Sequence, residues 1–270
     1  MGRVAVIGDL AGHLAELARE LDRLGASDGV LPDDLVVVQV GDLIHRGPDS
    51  DGVIALVDHY LRTQPDRWRQ LVGNHEAQYL HEPAFDWPEH ISDAAADTLN
   101  DWWQARVMTP AVSVRSGDED FLITHAGLTA GFWEQALDRP ADAALAAKAL
   151  NSFAGSHDRV LFAAGQMLGG GKPNLAAGPV WAAAATELVP SWTGTELPFS
   201  QVHGHSMIAD WRRHELRCDP ATAELLTVDE ERKHETVTLP GGRIVGVDPG
   251  HGAKPQTPWQ AFVLVDAEVR

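Results

Sequence analysis

Cys218 is the only cysteine in this 270-residue chain. An internal disulfide and any metal site built from several thiolates are therefore excluded, and metal chemistry has to come from His, Asp, Glu and Asn. Hard or borderline divalent ions follow. Positive charge is scarce as well: 21 Lys and Arg stand against 39 Asp and Glu, a formal net charge of -18. Sequence-independent binding to nucleic acid needs a basic face to displace counterions, so a nucleic-acid partner is not expected. One phosphate is not excluded, because a compact site containing metals can invert the local field. Nor is there a run of about 18 apolar residues that could cross a membrane. The first candidate strand begins at Arg3, leaving no room for a targeting leader ahead of it. From these absences a cytoplasmic protein with no membrane partner is expected.

What is present is ordinary globular material, 44% hydrophobic and 22% charged, enough for one domain over residues 1–270. Arg3-Val4-Ala5-Val6-Ile7 is a β-branched run that ends in Gly8-Asp9, and Leu10, Leu14, Leu17, Leu21 and Leu24 then recur at helical spacing. The unit repeats. Leu35 to Val40 ends in Gly41-Asp42, followed by a helix from Ser50 through Tyr60; Trp68 to Val72 runs into Gly73-Asn74-His75-Glu76; Phe121 to Thr124 runs into His125. Residues 80–120 and 131–200 lose periodicity and read as insertions. From Phe199 onward strands return, one running into His203-Gly204-His205, the others near 215–219, 225–228, 243–247 and 261–266, with Pro240-Gly241-Gly242 as a turn. The expected fold is α/β, two packed mixed sheets flanked by helices.

Open α/β sheets place ligands beyond the carboxyl ends of their strands, where these polar residues converge. A pair of divalent ions needs a bridging carboxylate, terminal N and O ligands, and open positions. Asp9 can bind a first ion, Asp42 can bridge, and Asn74, His125 and His205 can complete the second.

At these residues the chain resembles the calcineurin-like metallophosphoesterases, and among them the phosphoprotein phosphatase and diadenosine tetraphosphatase type. Gly41-Asp42-Leu43-Ile44-His45-Arg46-Gly47 is similar to that type's GDxVDRG, Gly73-Asn74-His75-Glu76 to GNHE, and His125-Ala126-Gly127 to H-[GA]-G. Gly204-His205-Ser206 resembles the late GH[ST] element, and Asp248-Pro249-Gly250 the D-x-G strand end. Order and spacing agree over nearly the whole chain, loosely within the two insertions. The resemblance implies Arg46 as a phosphate-binding guanidinium and His75 as the acid that protonates the leaving oxygen.

Three departures stand out. Where the first family motif, GDxHG, has a metal-binding histidine, this chain has Ala11. Where relatives have the aspartate that orients the catalytic histidine, it has His45. In the distantly related purple acid phosphatases a tyrosine three residues after the bridging aspartate binds the first metal, and His45 has that offset from Asp42. His45 is therefore expected as a replacement ligand, with His13 as its rival; His203 is either a support for His205 or packing. Ala183 stands where the family's P-x-W-x-R segment has its second phosphate-binding arginine, which leaves Lys172 as one candidate for that task.

The function these readings imply is hydrolysis of a phosphate ester or anhydride by metal-activated water. Two divalent ions are expected, Mn2+ first and Fe or Zn next. The substrate would be a phosphorylated protein, a nucleotide or a dinucleoside polyphosphate. The alternative is a phosphate- or nucleotide-binding module that has lost turnover through Ala11, His45 and Ala183.

Overall fold

The computed structural model describes residues 2–84, 87–155 and 158–270. Residues 85, 86, 156 and 157, inside the two expected insertions, lie outside the described residues. In chain order the strands are β1 (Arg3–Ile7), β2 (Leu35–Gln39), β3 (Trp68–Leu71), β4 (Met108–Thr109), β5 (Ala111–Ser116), β6 (Glu119–Thr124), β7 (Ser200–His203), β8 (Ala209–Asp210), β9 (Glu215–Leu216), β10 (Leu226–Asp229), β11 (His234–Leu239), β12 (Gly242–Gly246), β13 (Phe262–Val265) and β14 (Ala267–Val269). The principal helices are α1 (Leu14–Leu24), α2 (Ser50–Thr63), α3 (Asn74–Leu80), α4 (Asp93–Gln104), α5 (Ala130–Gln135) and α6 (Ala143–Phe153).

One sheet runs β13-β1-β2-β3-β4, with β1 to β4 parallel and β13 antiparallel at the edge. The other runs β10-β11-β12-β7-β6-β5-β14 and is mixed, with β12, β7 and β6 parallel to one another. Alternation along the strands decides how the layers pack. Val4, Val6, Val38, Val40 and Leu71 of the first sheet meet Val114, Phe121, Ile123, Val202 and Val245 of the second in a dry middle layer. Ala5, Ile7, Leu35 and Val37 point the other way, onto Leu17 and Leu21 of α1 and Val53 and Val57 of α2. The expected α/β architecture of two packed mixed sheets flanked by helices is the one found. Among the described residues no helix is long and apolar enough to cross a membrane.

Several local expectations shift. The strand expected over 215–219 stops at Leu216, because Asp219 caps the short helix Pro220–Leu225, its side chain accepting from the amides of Ala221 and Thr222. Asp49, one residue before Ser50, is the N-cap of α2 and accepts from the Gly52 amide. Inside the segment 80–120 the chain forms α4, β4 and β5, and β5 pairs with β6 from Ala111↔Thr124 to Ser116↔Glu119.

Candidate metal centre

Every polar residue singled out at a strand end lies at the same end of the sandwich. Asp9 follows β1, Asp42 follows β2, Asn74 opens α3 after β3, His125 follows β6 and His205 follows β7. Their loops are tied together by backbone. The amides of Leu10 and Ala11 donate to the carbonyl of Asp42 at 3.0 and 2.8 Å. The carboxylate of Glu76 accepts from the amides of Asp42, Leu43 and Gly73 at 2.8, 2.9 and 2.9 Å. Left-handed backbone concentrates here at residues that are not glycine: Ala11 (φ 47), Asp42 (φ 54), His45 (φ 71), Arg46 (φ 63) and His205 (φ 64). Such strain is sustained only where surrounding structure over-determines it, and it gathers at functional sites. Glycine is needed at Gly204, where a Cβ would collide with Oδ1 of Asp9.

Asp42, His125 and His205 each bring one ligand atom within 4.8 Å of the others, and all three are buried. Oδ1 of Asn74 joins them, 3.0 Å from Nε2 of His125 and 2.8 Å from Nδ1 of His205. The His125 ring gives its Nδ1 to the Val40 carbonyl at 2.9 Å, so the proton of the neutral ring sits on Nδ1 and Nε2 carries a lone pair. That lone pair faces Oδ1 of Asn74 and, at 3.4 Å, Oδ1 of Asp42. Three acceptor atoms turned toward one another repel in a dry site unless a cation lies among them. Nε2 of His205 is buried with no hydrogen-bond partner. The residues present fit a divalent ion.

Asp9 accepts from the amide of His205 through both oxygens, at 3.0 and 3.1 Å. Burial, then the charges of Asp248 and Asp42, push its carboxyl well above the usual range. Burial likewise pushes Asp248 up to about 6. Burial alone would raise Asp42 too, yet His75, His125, His205 and Arg46 hold it below the ordinary carboxylate range. Burial and the nearby Asp42 push Glu76 up to about 8 against the pull of its three N–H donors. Desolvation lowers His125 and His205, and neutral imidazole is the form that ligates metals.

His45 is placed otherwise than expected for a ligand. Its Nδ1 lies 2.7 Å from Nδ1 of His75 and its Nε2 lies 2.8 Å from the hydroxyl of Tyr79, so both ring nitrogens are taken up away from the cluster. His75 turns its other nitrogen inward: Nε2 is 3.7 Å from Oδ2 of Asp42 and 3.2 Å from Nη2 of Arg46. Burial pulls both rings down to about 4. Trp87 covers them, stacked on His45 at 5.5 Å and edge-on to His75 at 4.5 Å, with the Arg46 guanidinium 5.5 Å from its ring centre. Glu89 ties this cover down by accepting from Arg46 N and Trp87 Nε1.

His13, the rival, bonds the Gly252 carbonyl through Nε2 at 2.7 Å and packs against His251. His203 is buried with Nδ1 2.8 Å from the Gly204 carbonyl. Lys172 is exposed. Ala183 donates its amide to Glu187, and its neighbour Ala184 donates to Ser206 Oγ, so this segment does border the His205 loop, with a methyl group at position 183. Sequence reasoning placed Glu76 and Asp248 in motifs without giving either a role, and passed over Tyr79 and Trp87 as parts of this site. For Glu76 the signal was present, an acidic residue two after Asn74 on the first turn of α3; for Trp87 it was not, because its place over His45 and His75 is a tertiary contact that no local spacing announces.

A sequence profile described as calcineurin-like phosphoesterase matches residues 2–165. Over 70 residues the chain is 33% identical to the zinc-dependent endopolyphosphatase of Saccharomyces cerevisiae, a stretch covering 26% of this chain and 19% of that protein, so the chain spans about a fifth of the length of the curated relative it matches. Among solved structures, the cold-active protein-tyrosine phosphatase of a psychrophilic Shewanella species is 17% identical with a TM-score of 0.52, covering 93% of this chain and 72% of that one. A serine/threonine phosphatase from Saccharomyces cerevisiae is 14% identical with a TM-score of 0.47, covering 92% and 67%. At 17% identity the first likeness is one of fold alone.

Proposed function

This chain belongs to the calcineurin-like phosphoesterase family, and from that premise we propose that it hydrolyses a phosphate ester or anhydride at the cluster of Asp9, Asp42, Asn74, His125 and His205. The observation that supports this most directly is the meeting of Asp42 Oδ1, Asn74 Oδ1 and His125 Nε2, lone pairs that a cation would reconcile. In this reading Asp9, Asp42, Asn74, His125 and His205 would hold two divalent ions, with Asp9 serving the first, Asn74, His125 and His205 the second, and Asp42 the carboxylate both would share. When bound, such ions supply Lewis acidity at phosphoryl oxygens and lower the pKa of water. Imidazole and carboxamide donors beside carboxylates favour Mn2+, with Fe or Zn next, over Ca2+.

The chain's own groups do the rest. Arg46, beside His75 at the rim, offers a planar pair of donors to a phosphate oxygen. His75 presents Nε2 toward Asp42 and gives the leaving oxygen its proton. The substrate is a phosphorylated protein, a nucleotide or a dinucleoside polyphosphate; the name of the yeast relative adds inorganic polyphosphate to the set to be assayed. We take residues 1–270 as one cytoplasmic catalytic domain, with insertions near 80–120 and 131–200.

Protein stripped with a chelator and reloaded one ion at a time, then measured for bound metal and for phosphate release from each substrate class, tests this reading. About two ions per chain, with turnover greater in Mn2+ than in Ca2+, are expected. Bound metal without turnover would favour a binding module, and the absence of both metal and turnover would overturn the proposal.

A further inference from the structure

A surface cavity of about 670 Å³ opens along the side of the sandwich, bordered by β4 at the edge of the first sheet, by β5 and its edge neighbour β14 in the second, and by α6. Trp68 and Arg69, at the beginning of β3, form part of its wall, whereas the metal cluster gathers beyond the end of that strand, and no residue of the cluster borders the cavity. Its charge is one-sided. Arg69, Arg106, Lys148 and Arg270 line it, and no carboxylate side chain does. The chain carries 39 Asp and Glu against 21 Lys and Arg, and four other surface cavities each set an arginine beside an Asp or Glu. Arg270 is tied to Glu268 at 2.8 Å, but Arg69, Arg106 and Lys148 make no ion pair among the described residues.

The surrounding structure holds these three cations in place. Arg69 donates Nη1 to the carbonyls of Pro65 and Trp68. Arg106 stands on left-handed backbone (φ 61) with its guanidinium against Gly155, where a Cβ would come within 2.8 Å of Nη2. Asn151, three residues after Lys148 and so on the same face of α6, exchanges hydrogen bonds of 3.0 Å in each direction with the backbone of Ala111. Like charges gathered without a counter-ion repel, and an anion seated among them removes that cost. Between the cations the wall is apolar, formed by Val107, which is 40% exposed, with Val112 and Ala147. Two guanidinium forks and an ammonium suit phosphoryl oxygens, and an apolar wall beside them suits the organic part of the same molecule.

We propose that this cavity binds a small organic phosphate at a site separate from the metal cluster. Arg69, Arg106 and Lys148 receive the phosphoryl oxygens, and Val107, Val112 and Ala147 cover the apolar part of the molecule. The lining includes no histidine, aspartate or glutamate. It therefore offers neither an imidazole or carboxyl group to move a proton nor a ligand set for a metal, and it holds the phosphate without cleaving it. Occupancy does not require the metal cluster. A bound molecule joins β3, the segment after α4, and α6, and stabilises the folded chain by mass action.

The test titrates the metal-loaded full chain with phenylphosphonate, whose carbon–phosphorus bond is not a phosphoester, and counts sites by calorimetry. Replacing the three cations together, Arg69→Gln with Arg106→Gln and Lys148→Gln, is expected to leave one site fewer per chain than wild type, weakened by at least about 100-fold, with bound metal and kcat on 4-nitrophenyl phosphate unchanged. Val107→Glu, at an exposed position, sets a carboxylate on the wall while all three cations remain, and should remove the same site. The count falls by one whatever the metal cluster itself binds, so failure of the catalytic reading would leave this result intact. Taken as the difference between wild type and the triple variant, inorganic phosphate should bind the cavity about 10-fold more weakly than phenylphosphonate, and benzyl alcohol should not displace it. A wild-type site count in the triple variant or in Val107→Glu, inorganic phosphate bound as tightly as phenylphosphonate, or displacement by benzyl alcohol would overturn the proposal.

Discussion

Oδ1 of Asn74 lies 2.8 Å from Nδ1 of His205, although 131 positions separate the two residues in the chain. One opens a helix after a strand of the first sheet, and the other follows a strand of the second. The cluster is thus assembled across the sandwich, and its geometry depends on the valine layer that joins the sheets. A cation placed among these groups would in turn tie the two sheets together, so binding and stability are linked.

Asp42 is the first place to test this. Its Oδ1 faces His125 and its Oδ2 faces His75, which suits a carboxylate shared between two ions. Asp42→Asn is expected to lower bound metal sharply, with activity down by more than about 100-fold, beyond the usual effect of residues one layer further out. Elemental analysis of the purified variant is the check; unchanged metal content would deny Asp42 a bridging role.

Glu76 acts on the same site through backbone. Removing its carboxylate leaves the amides of Asp42, Leu43 and Gly73 without their acceptor in a buried setting. Each such donor costs about 1–3 kcal/mol when left unpaired. Glu76→Ala should therefore unfold at lower urea concentration and bind metal more weakly, measured by denaturant titration with and without Mn2+. Stability equal to wild type would mean the two loops do not need this pin.

How far the sequence carries can be read from these residues. The strand-end positions Asp9, Asp42, Asn74, His125 and His205 were visible because each follows a short run that reads as a strand, and successive strands of this kind place polar residues at one end of a sheet. The loop conformation between Asp42 and Gly47 was not visible. Offsets along a chain say nothing about a left-handed φ at two successive residues, and it is the φ of 71° at His45 and 63° at Arg46 that sends the His45 ring to His75 and Tyr79. The strands β5 and β11 were missed for another reason: each is six residues long and pairs with the next strand along the chain, β6 and β12, but polar and charged residues interrupt its apolar positions, so pairing supplies what local pattern does not.

His251 gives a pH signature independent of the candidate centre. Its Nδ1 accepts the Gln256 amide at 2.9 Å, leaving Nε2 buried without a partner. Burial, then the neighbouring His13 and Arg19, pull the ring down to about 3. In the unfolded chain an ordinary histidine takes its proton near 6.5. Between about 3 and 6.5 the unfolded state binds the extra proton, so this contribution to stability is full above 6.5 and is lost as pH falls. Urea unfolding at pH 7 and pH 5 should show wild type losing more stability on acidification than His251→Gln, by about 1.4 kcal/mol per pH unit at most. Parallel losses in the two proteins would show that His251 does not titrate in this range.

Arg46 provides the sharpest separation between binding phosphate and holding metal. It reaches Nε2 of His75 and the face of Trp87 while its backbone is anchored by Glu89, so the guanidinium is held at the rim of the cluster and is not itself a ligand. Arg46→Ala should leave metal content unchanged and raise KM, because a charge-assisted pair of hydrogen bonds to phosphate is lost; at roughly 1.5–3 kcal/mol for such bonds this is about 10- to 100-fold. Arg46→Lys keeps the charge and discards the planar fork, so it should recover only part of the loss. Steady-state kinetics on one substrate, with metal measured on the same samples, distinguishes the outcomes. A fall in bound metal in Arg46→Ala would make the residue a support for the centre, and full recovery by lysine would mean that charge alone, without the paired geometry, draws the phosphate in.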